Sequence, residues 1–229
     1  MIQEAWNRAE FLERLRSVGT ESYHHLHPFH VRMNAGKLDQ DSIRLWVANR
    51  FYYQSNIPRK DAAILANCPL REIRQKWINR IIDHDGHAGK EGGIEKWIRL
   101  GVACGLTAEA LMDERYLRPG VRFAVDAYVN FARIQPWQVA IASSLTELFA
   151  PDLMAKRLDA FQKHYPWIAS DGLDYFRERL TKAREDSDVA LDVTLTFCVD
   201  RTIQEAAVHA LRFKCDVLRA MLDALLNTV

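Results

Sequence analysis

From Ile203 to Leu225, apolar side chains recur at steps of three and four: Ile203, Ala207, Ala210, Val217, Leu218, Met221 and Leu225. That spacing is one face of an amphipathic α-helix, a period that no strand presents. Arg212, Asp216, Arg219 and Asp223 fall on the opposite side, which reads as the solvent face. Helical periodicity dominates the rest of the chain too, and strand alternation is hard to find. With 10 Gly and 7 Pro in 229 residues, the expectation is an all-α fold. Eight helical segments are predicted, six or seven of them substantial, over roughly 6–18, 39–65, 71–84, 90–104, 120–149, 152–164, 171–198 and 200–227. Asp39 or Asp41 suits the N-cap of the second, and Pro58 should bend or interrupt it. Asp85-Gly86-His87-Ala88-Gly89 reads as a turn, extended by Gly92-Gly93, and Pro119-Gly120 and Pro151 punctuate the middle. No linker, repeat or low-complexity run divides the chain, so residues 1–229 are expected to form a single domain. Its short connections suit a helical bundle, in which facing helices build ligand sites.

One residue on the first stripe is out of place. Lys214 lies at its centre, and Arg50 and Gln54 share the azimuth of Ile43, Trp46, Val47 and Ile57 on another stripe. Burying a bare cation costs several kcal/mol or more unless a partner offsets it. The pattern therefore gathers positive charge inside the body, where an anionic ligand could be the counter-ion; an internal salt bridge is the alternative. Lys plus Arg total 31 against 30 Asp plus Glu, a net charge of +1. That balance gives no global field for nucleic acid or a membrane surface. No apolar run approaches the roughly 18 residues of a membrane span, and Met1-Ile2-Gln3-Glu4 does not begin a secretory signal. Cys68, Cys104, Cys198 and Cys215 lack C-x-x-C spacing and read as buried thiols of a reducing cytoplasm.

Several constellations carry candidate chemistry. His24, His25, His27 and His30 crowd seven residues. At most two could converge on a metal, and no Glu-x-x-His pair completes a di-iron site, so packing, capping or one ligand-facing imidazole competes with ligation. Arg80 and His84 are spaced i, i+4, with Asp85 following at the helix end. A histidine there can titrate near neutrality as a general base or acid, or merely cap the surface. Tyr175 and Arg179 are likewise i, i+4, a spacing that is most often structural. Glu147 and Arg157 flank Pro151 and could face one space. No P-loop, Gly-x-Gly-x-x-Gly or Gly-x-Ser-x-Gly element is present.

These residues lie in runs that resemble the pyrroloquinoline-quinone synthase family. They include Trp46-Val47-Ala48-Asn49-Arg50-Phe51-Tyr52-Tyr53-Gln54, Lys60-Asp61-Ala62-Ala63-Ile64, Ala66-Asn67-Cys68-Pro69 and Asp83-His84-Asp85-Gly86. Pro119-Gly120-Val121-Arg122-Phe123-Ala124-Val125-Asp126-Ala127-Tyr128 and Ser143-Ser144-Leu145-Thr146-Glu147-Leu148-Phe149-Ala150-Pro151 continue the likeness. His164-Tyr165-Pro166-Trp167-Ile168 and Tyr175-Phe176-Arg177 complete it, so that it spans nearly the whole chain.

The resemblance implies a haem-oxygenase-like helical bundle, a homodimer, that binds no haem and uses no metal or organic cofactor. It implies ring closure and O2-dependent oxidation of a bicyclic, amino-acid-derived polycarboxylate to pyrroloquinoline quinone, with release of peroxide. Carried over by position, the substrate contacts fall on His24, Arg50, Gln54, Lys60, Arg80, Tyr128, Glu147, Arg157 and Lys214. His84 also falls among the family's ligand contacts and corresponds to the base that takes protons from carbon; Tyr175 and Arg179 correspond to the place where oxygen or peroxide is handled. Well-known members carry histidine where this chain has Met154. A small peptide-chaperone domain of the pathway, fused after residue 229 or separate, is a further expectation. Two other readings compete: a carrier that sequesters an anionic quinone, and a thiaminase-like hydrolase with a nucleophilic cysteine.

Overall fold

The computed structural model describes residues 4–226. Within that span it describes the side chains of all residues except 147, 149–152, 181 and 183–186. The described chain is helical throughout, with one isolated bridge between His87 and Lys90. In order come α1 (Arg8–Ser22), α2 (Pro28–Asn34), α3 (Gln40–Asn67), α4 (Arg71–Asp85), α5 (Gly93–Ala103), α6 (Ala108–Met112) and α7 (Pro119–Ile134). They are followed by α8 (Trp137–Ala142), α9 (Ala150–His164), α10 (Asp174–Phe197) and α11 (Arg201–Leu226). Short 3-10 turns cover His24–Leu26, Ser143–Phe149 and Ser170–Leu173.

The long helix α3 is the axis of the bundle. It packs on α4, α5, α7 and α8, while α11 closes the far side against α1, α7 and α8. Asp39 caps α3 by accepting from the Ser42 N–H at 2.7 Å. Side chains on nearly all its sides are buried, from Ile43 and Trp46 to Lys60 and Ile64. Each fully buried large aliphatic side chain contributes about 1.5–3 kcal/mol, so the helix is held chiefly by packing. That explains Pro58. It was expected to bend or interrupt the helix, yet α3 runs through it unbroken. The missing N–H costs roughly 3 kcal/mol, which burial along the rest of α3 outweighs.

The single helix expected over 120–149 is instead α7, α8 and a 3-10 turn. Pro136 ends the first: its ring disfavours helical geometry in the preceding residue, and Gln135 is extended at φ −82°, ψ 152°. Helices α2 and α6 were not legible as periodic segments, being only 7 and 5 residues long. The glycine turn after α4 forms as expected. Gly86 takes φ +76°, and a Cβ there would lie 2.5 Å from the Lys90 carbonyl oxygen. Gly92 follows, where a Cβ would lie 2.3 Å from the His84 carbonyl oxygen. The two glycines let α5 start directly against the end of α4, beside His84.

Candidate active site

Five of the expected site residues meet in one cavity. His24, Arg50, His84, Tyr175 and Arg179 line it, together with Tyr23, Tyr53, Ile57, Thr146, Met154 and Leu218. The space measures about 30 Å3, room for little more than a water molecule and far below the size of a small-ligand site. It is constricted, with the side chains drawn close around it. Larger clefts open on the surface, one along Asp39, Arg44, Tyr116 and Arg118, but they contain none of the expected site residues.

His84 reaches this space from the last turn of α4. Its Nδ1 lies 2.9 Å from the Arg80 carbonyl oxygen, one helical turn back. A carbonyl only accepts, so Nδ1 carries the proton and Nε2 is the basic atom. Burial first, and then the Arg179 guanidinium, hold its pKa down at about 4, so the ring is neutral at pH 7. This is a buried base and not a surface cap. Tyr175 is fixed by an edge-to-face contact with Trp97 at 4.8 Å, and the indole of Trp97 donates to the Val47 carbonyl at 2.9 Å. Arg179 follows one turn later on α10 and is buried.

Among the described residues, Gln54, Lys60, Arg80, Tyr128, Arg157 and Lys214 are absent from the cavity lining. Lys214 on α11 is 1% exposed and donates to the Tyr53 hydroxyl at 2.6 Å. Its ammonium lies 3.6 Å from the Tyr128 ring and 4.0 Å from the Tyr53 ring. Arg50, only half-buried, lies 4.1 Å over the same Tyr53 ring. Tyr53 thus bridges the two cations singled out in the sequence, through cation–π attraction. Arg157 is buried over Trp46 at 5.0 Å, with Nε and Nη2 lacking hydrogen-bond partners among the described residues. Burial first, and then Arg50, lower its pKa to about 9, which leaves it charged at neutral pH. The buried Gln54 Oε1 also lacks a partner among the described residues. Glu147 lies outside the described side chains.

Lys60 and Arg80 converge on Asp61, the neighbour of Lys60 on α3. The Lys60 ammonium lies 2.5 Å from Asp61 Oδ1, and Arg80 Nε lies 3.5 Å from Asp61 Oδ2. Trp77 Nε1 donates to Asp61 Oδ1 at 2.9 Å, and Lys60 also donates to the Ser144 hydroxyl at 3.0 Å. Burial alone would raise the pKa of Asp61, but Lys60 and Arg80 outweigh it and hold the carboxyl below its ordinary value. A sequence signal existed: Ile57, Asp61 and Ile64 stand at steps of four and three, the pattern that exposed Lys214.

The histidine cluster divides by role. His27 caps α2, its Nδ1 accepting from the Phe29 N–H at 3.1 Å, and pairs with Asp223 at 3.0 Å. His30 Nδ1 lies 3.1 Å from the His24 carbonyl, and its ring packs 4.7 Å from that of His24. Only His24 lines the cavity. Burial first, then Arg50, Arg157 and Lys214, keep it far below an ordinary imidazole pKa. Among the described residues no three His, Cys, Asp or Glu side chains are grouped to hold a metal ion, and no helix is long and apolar enough to cross a membrane. All four cysteines are buried free thiols outside the cavity lining. Burial pushes Cys104 and Cys198 up to about 12 and Cys215 to about 11, the opposite of an activated nucleophile.

Known proteins share both sequence and fold. A pyrroloquinoline-quinone synthase of Pseudomonas aeruginosa is 56% identical over 225 residues, covering 98% of this chain and 90% of its own. One from Cronobacter sakazakii is 53% identical over 216 residues, covering 94% and 86%. A TenA homologue from Pseudomonas syringae superposes with a TM-score of 0.78 at 13% identity, over 98% of each chain. A haem-oxygenase-like domain from Shewanella denitrificans gives 0.75 at 10% identity, over 96% of this chain and 90% of that one. At such identities these two show the fold alone: a haem-oxygenase-like bundle. The family profile spans residues 12–224, the whole helical body that carries the cavity, and with the sequence identity it shows that this chain belongs to the TENA/THI-4/PQQC family.

Proposed function

We propose that this protein is a pyrroloquinoline-quinone synthase, an O2-dependent oxidase of the final step of pyrroloquinoline quinone biosynthesis. The observation that carries the reading is the convergence of a neutral, buried His84 with Tyr175, Arg179, Arg50 and His24 on one cavity, in a chain 56% identical to such a synthase. The substrate is a polycarboxylate, and Arg50 at the cavity with Arg157 and Lys214 behind it would receive its carboxylates, with Gln54 and Tyr128 beside them. His84 Nε2 would take a proton from carbon. In the empty site its basicity is weak, because burial and Arg179 oppose a second cation. An anionic substrate adds negative charge beside it and raises its proton affinity, so the base strengthens as the site fills.

Proton removal leaves an electron-rich anion that the surrounding cations stabilise. That anion passes electrons to O2. Two electrons and two protons convert each O2 so reduced to hydrogen peroxide; Arg179 would hold the reduced oxygen by its charge, and Tyr175 or water would supply protons. The protein's contribution is alignment, a base and exclusion of water. The homodimer is part of this proposal, drawn from the resemblance, and molecular mass in solution tests it. The cysteine-dependent hydrolase finds no support, because no described thiol is activated. Incubating the protein with the ring-open precursor separates synthase from carrier. Quinone absorbance should grow under air and not under argon. Binding without turnover under air would sink the synthase reading.

A further inference from the structure

Asp61 is a charged group without an assigned task in the chemistry above. It is fully buried on α3, one residue after Lys60, and faces Arg80 and Trp77 across the α3–α4 contact. Its two oxygens are used unequally. Oδ1 accepts from both the Lys60 ammonium and the Trp77 indole, whereas Oδ2 has no hydrogen-bond partner among the described residues, with Arg80 Nε at 3.5 Å. That is an ion-pair distance and not a hydrogen bond. Neither Lys60 nor Arg80 lines the cavity, although residues beside each of them do: Ile57 on α3 and His84 on α4. Two cations suited to a polycarboxylate are therefore held one layer back by a carboxylate of the protein itself.

We propose that Asp61 is an internal counter-ion, which occupies Lys60 and Arg80 while the site is empty and competes with the substrate's carboxylates for them. This rests on the reading of the site as one for a polycarboxylate quinone and its precursor. The physical logic is exchange. Without Asp61 the buried Lys60 ammonium would lose its carboxylate partner and Arg80 an ion-pair contact, which destabilises a fold. With it they stay charged and ordered, and an entering carboxylate substitutes for the long Arg80 contact at little loss. Asp61 thus exchanges part of the ligand's affinity for stability of the empty protein. It is a positioning residue, since it acts through Lys60 and Arg80.

The test is Asp61→Asn, which keeps the shape and an oxygen for Trp77 and removes the charge. Calorimetric titration with pyrroloquinoline quinone is expected to show product binding about tenfold tighter than in the parent, while the Tm of the ligand-free protein falls. Trp77→Phe, which deletes a donor to Asp61 but no charge, serves as control and should not tighten binding. Unchanged or weaker product binding in folded Asp61→Asn would overturn the proposal, and so would equal tightening in Trp77→Phe, which would indicate loosened packing. Should Asp61→Asn not fold, a crystal structure of the unsubstituted protein with product decides. Lys60 or Arg80 is expected to have moved from Asp61 onto a ligand carboxylate, and both remaining on Asp61 refutes the exchange. No product binding by the unsubstituted protein would overturn the functional reading, and this inference with it.

Discussion

Lys214 donates to the Tyr53 hydroxyl and lies against the Tyr53 and Tyr128 rings, at the edge of the cavity that Tyr53 lines. In the proposed function it receives a ligand carboxylate. Lys214→Met is therefore expected to weaken product binding by about 1.5–3 kcal/mol, the scale of a charge-assisted hydrogen bond, as read by titration calorimetry. Unchanged affinity with a large loss of stability would instead make Lys214 a structural ion-pair partner. Met154 lines the same cavity as Tyr175 and Arg179. A thioether neither donates a proton nor carries charge, so proton delivery to peroxide must fall to Tyr175 or to water. Met154→Leu, close in volume, should keep nearly full turnover, and Met154→His should alter late oxidation more than precursor binding. Rapid-mixing absorbance resolves the two phases. A severe defect in folded Met154→Leu would give the sulfur a role of its own. Among single residues, the misplaced charges on apolar stripes were legible in sequence because a stripe fixes azimuth. Tyr53 was not singled out, because an aromatic on a buried helix looks like ordinary core.

At the scale of elements, the proposed reacting groups divide between α4, which carries His84, and α10, which carries Tyr175 and Arg179. On the side chains next to them runs a set of ion pairs. Lys182 on α10 lies 2.7 Å from Asp83 on α4 and 3.2 Å from Glu178, and Glu178 also pairs with Lys96 on α5. These groups are about a quarter exposed, so each pair contributes about 1 kcal/mol or less to stability. Lys182→Met should accordingly lower Tm only slightly, yet reduce kcat more than it changes KM, because it loosens the approach of α10 to His84. An equal loss in stability and no change in kcat would show that the ion pairs merely hold the surface. The two helices also predict a division of labour. His84→Asn should block early proton removal, whereas Tyr175→Phe and Arg179→Ser should let ring closure begin and then stall oxidation. Arrest of all three variants at one intermediate, seen by quenched-flow chromatography, would refute that division. The i, i+4 spacing of each pair was visible in the sequence; that His84 alone of its pair meets Tyr175 and Arg179 was not, because it depends on how α4, α5 and α10 pack.

For the whole molecule, three buried imidazoles set the response to acid. His24 and His30 are held well below the ordinary value and His84 at about 4, in each case by burial first. The unfolded chain binds protons on them near pH 6.5, and the folded protein does not. Their contribution to stability is therefore complete above about pH 6.5 and is lost as the pH falls toward 4. For His84 alone it is of the order of 3 kcal/mol. Urea denaturation from pH 7.5 to 4.5 should show a steep loss, shallower in His84→Asn; an identical slope in that variant would mean His84 is not neutral in the fold. Turnover should also survive exhaustive chelation, and activity restored by iron or copper would overturn the cofactor-free chemistry. The sequence by itself determined the all-α class, most helix positions and the gathering of cations inside, because 3.6-residue periodicity and the cost of burying charge act locally along the chain. Only the tertiary structure decided that α3 would run through Pro58, since packing on several neighbours outweighs one lost hydrogen bond. It alone also decided which cations line the cavity and which are held behind it by Asp61, because ion pairing depends on distances between helices that no periodicity encodes.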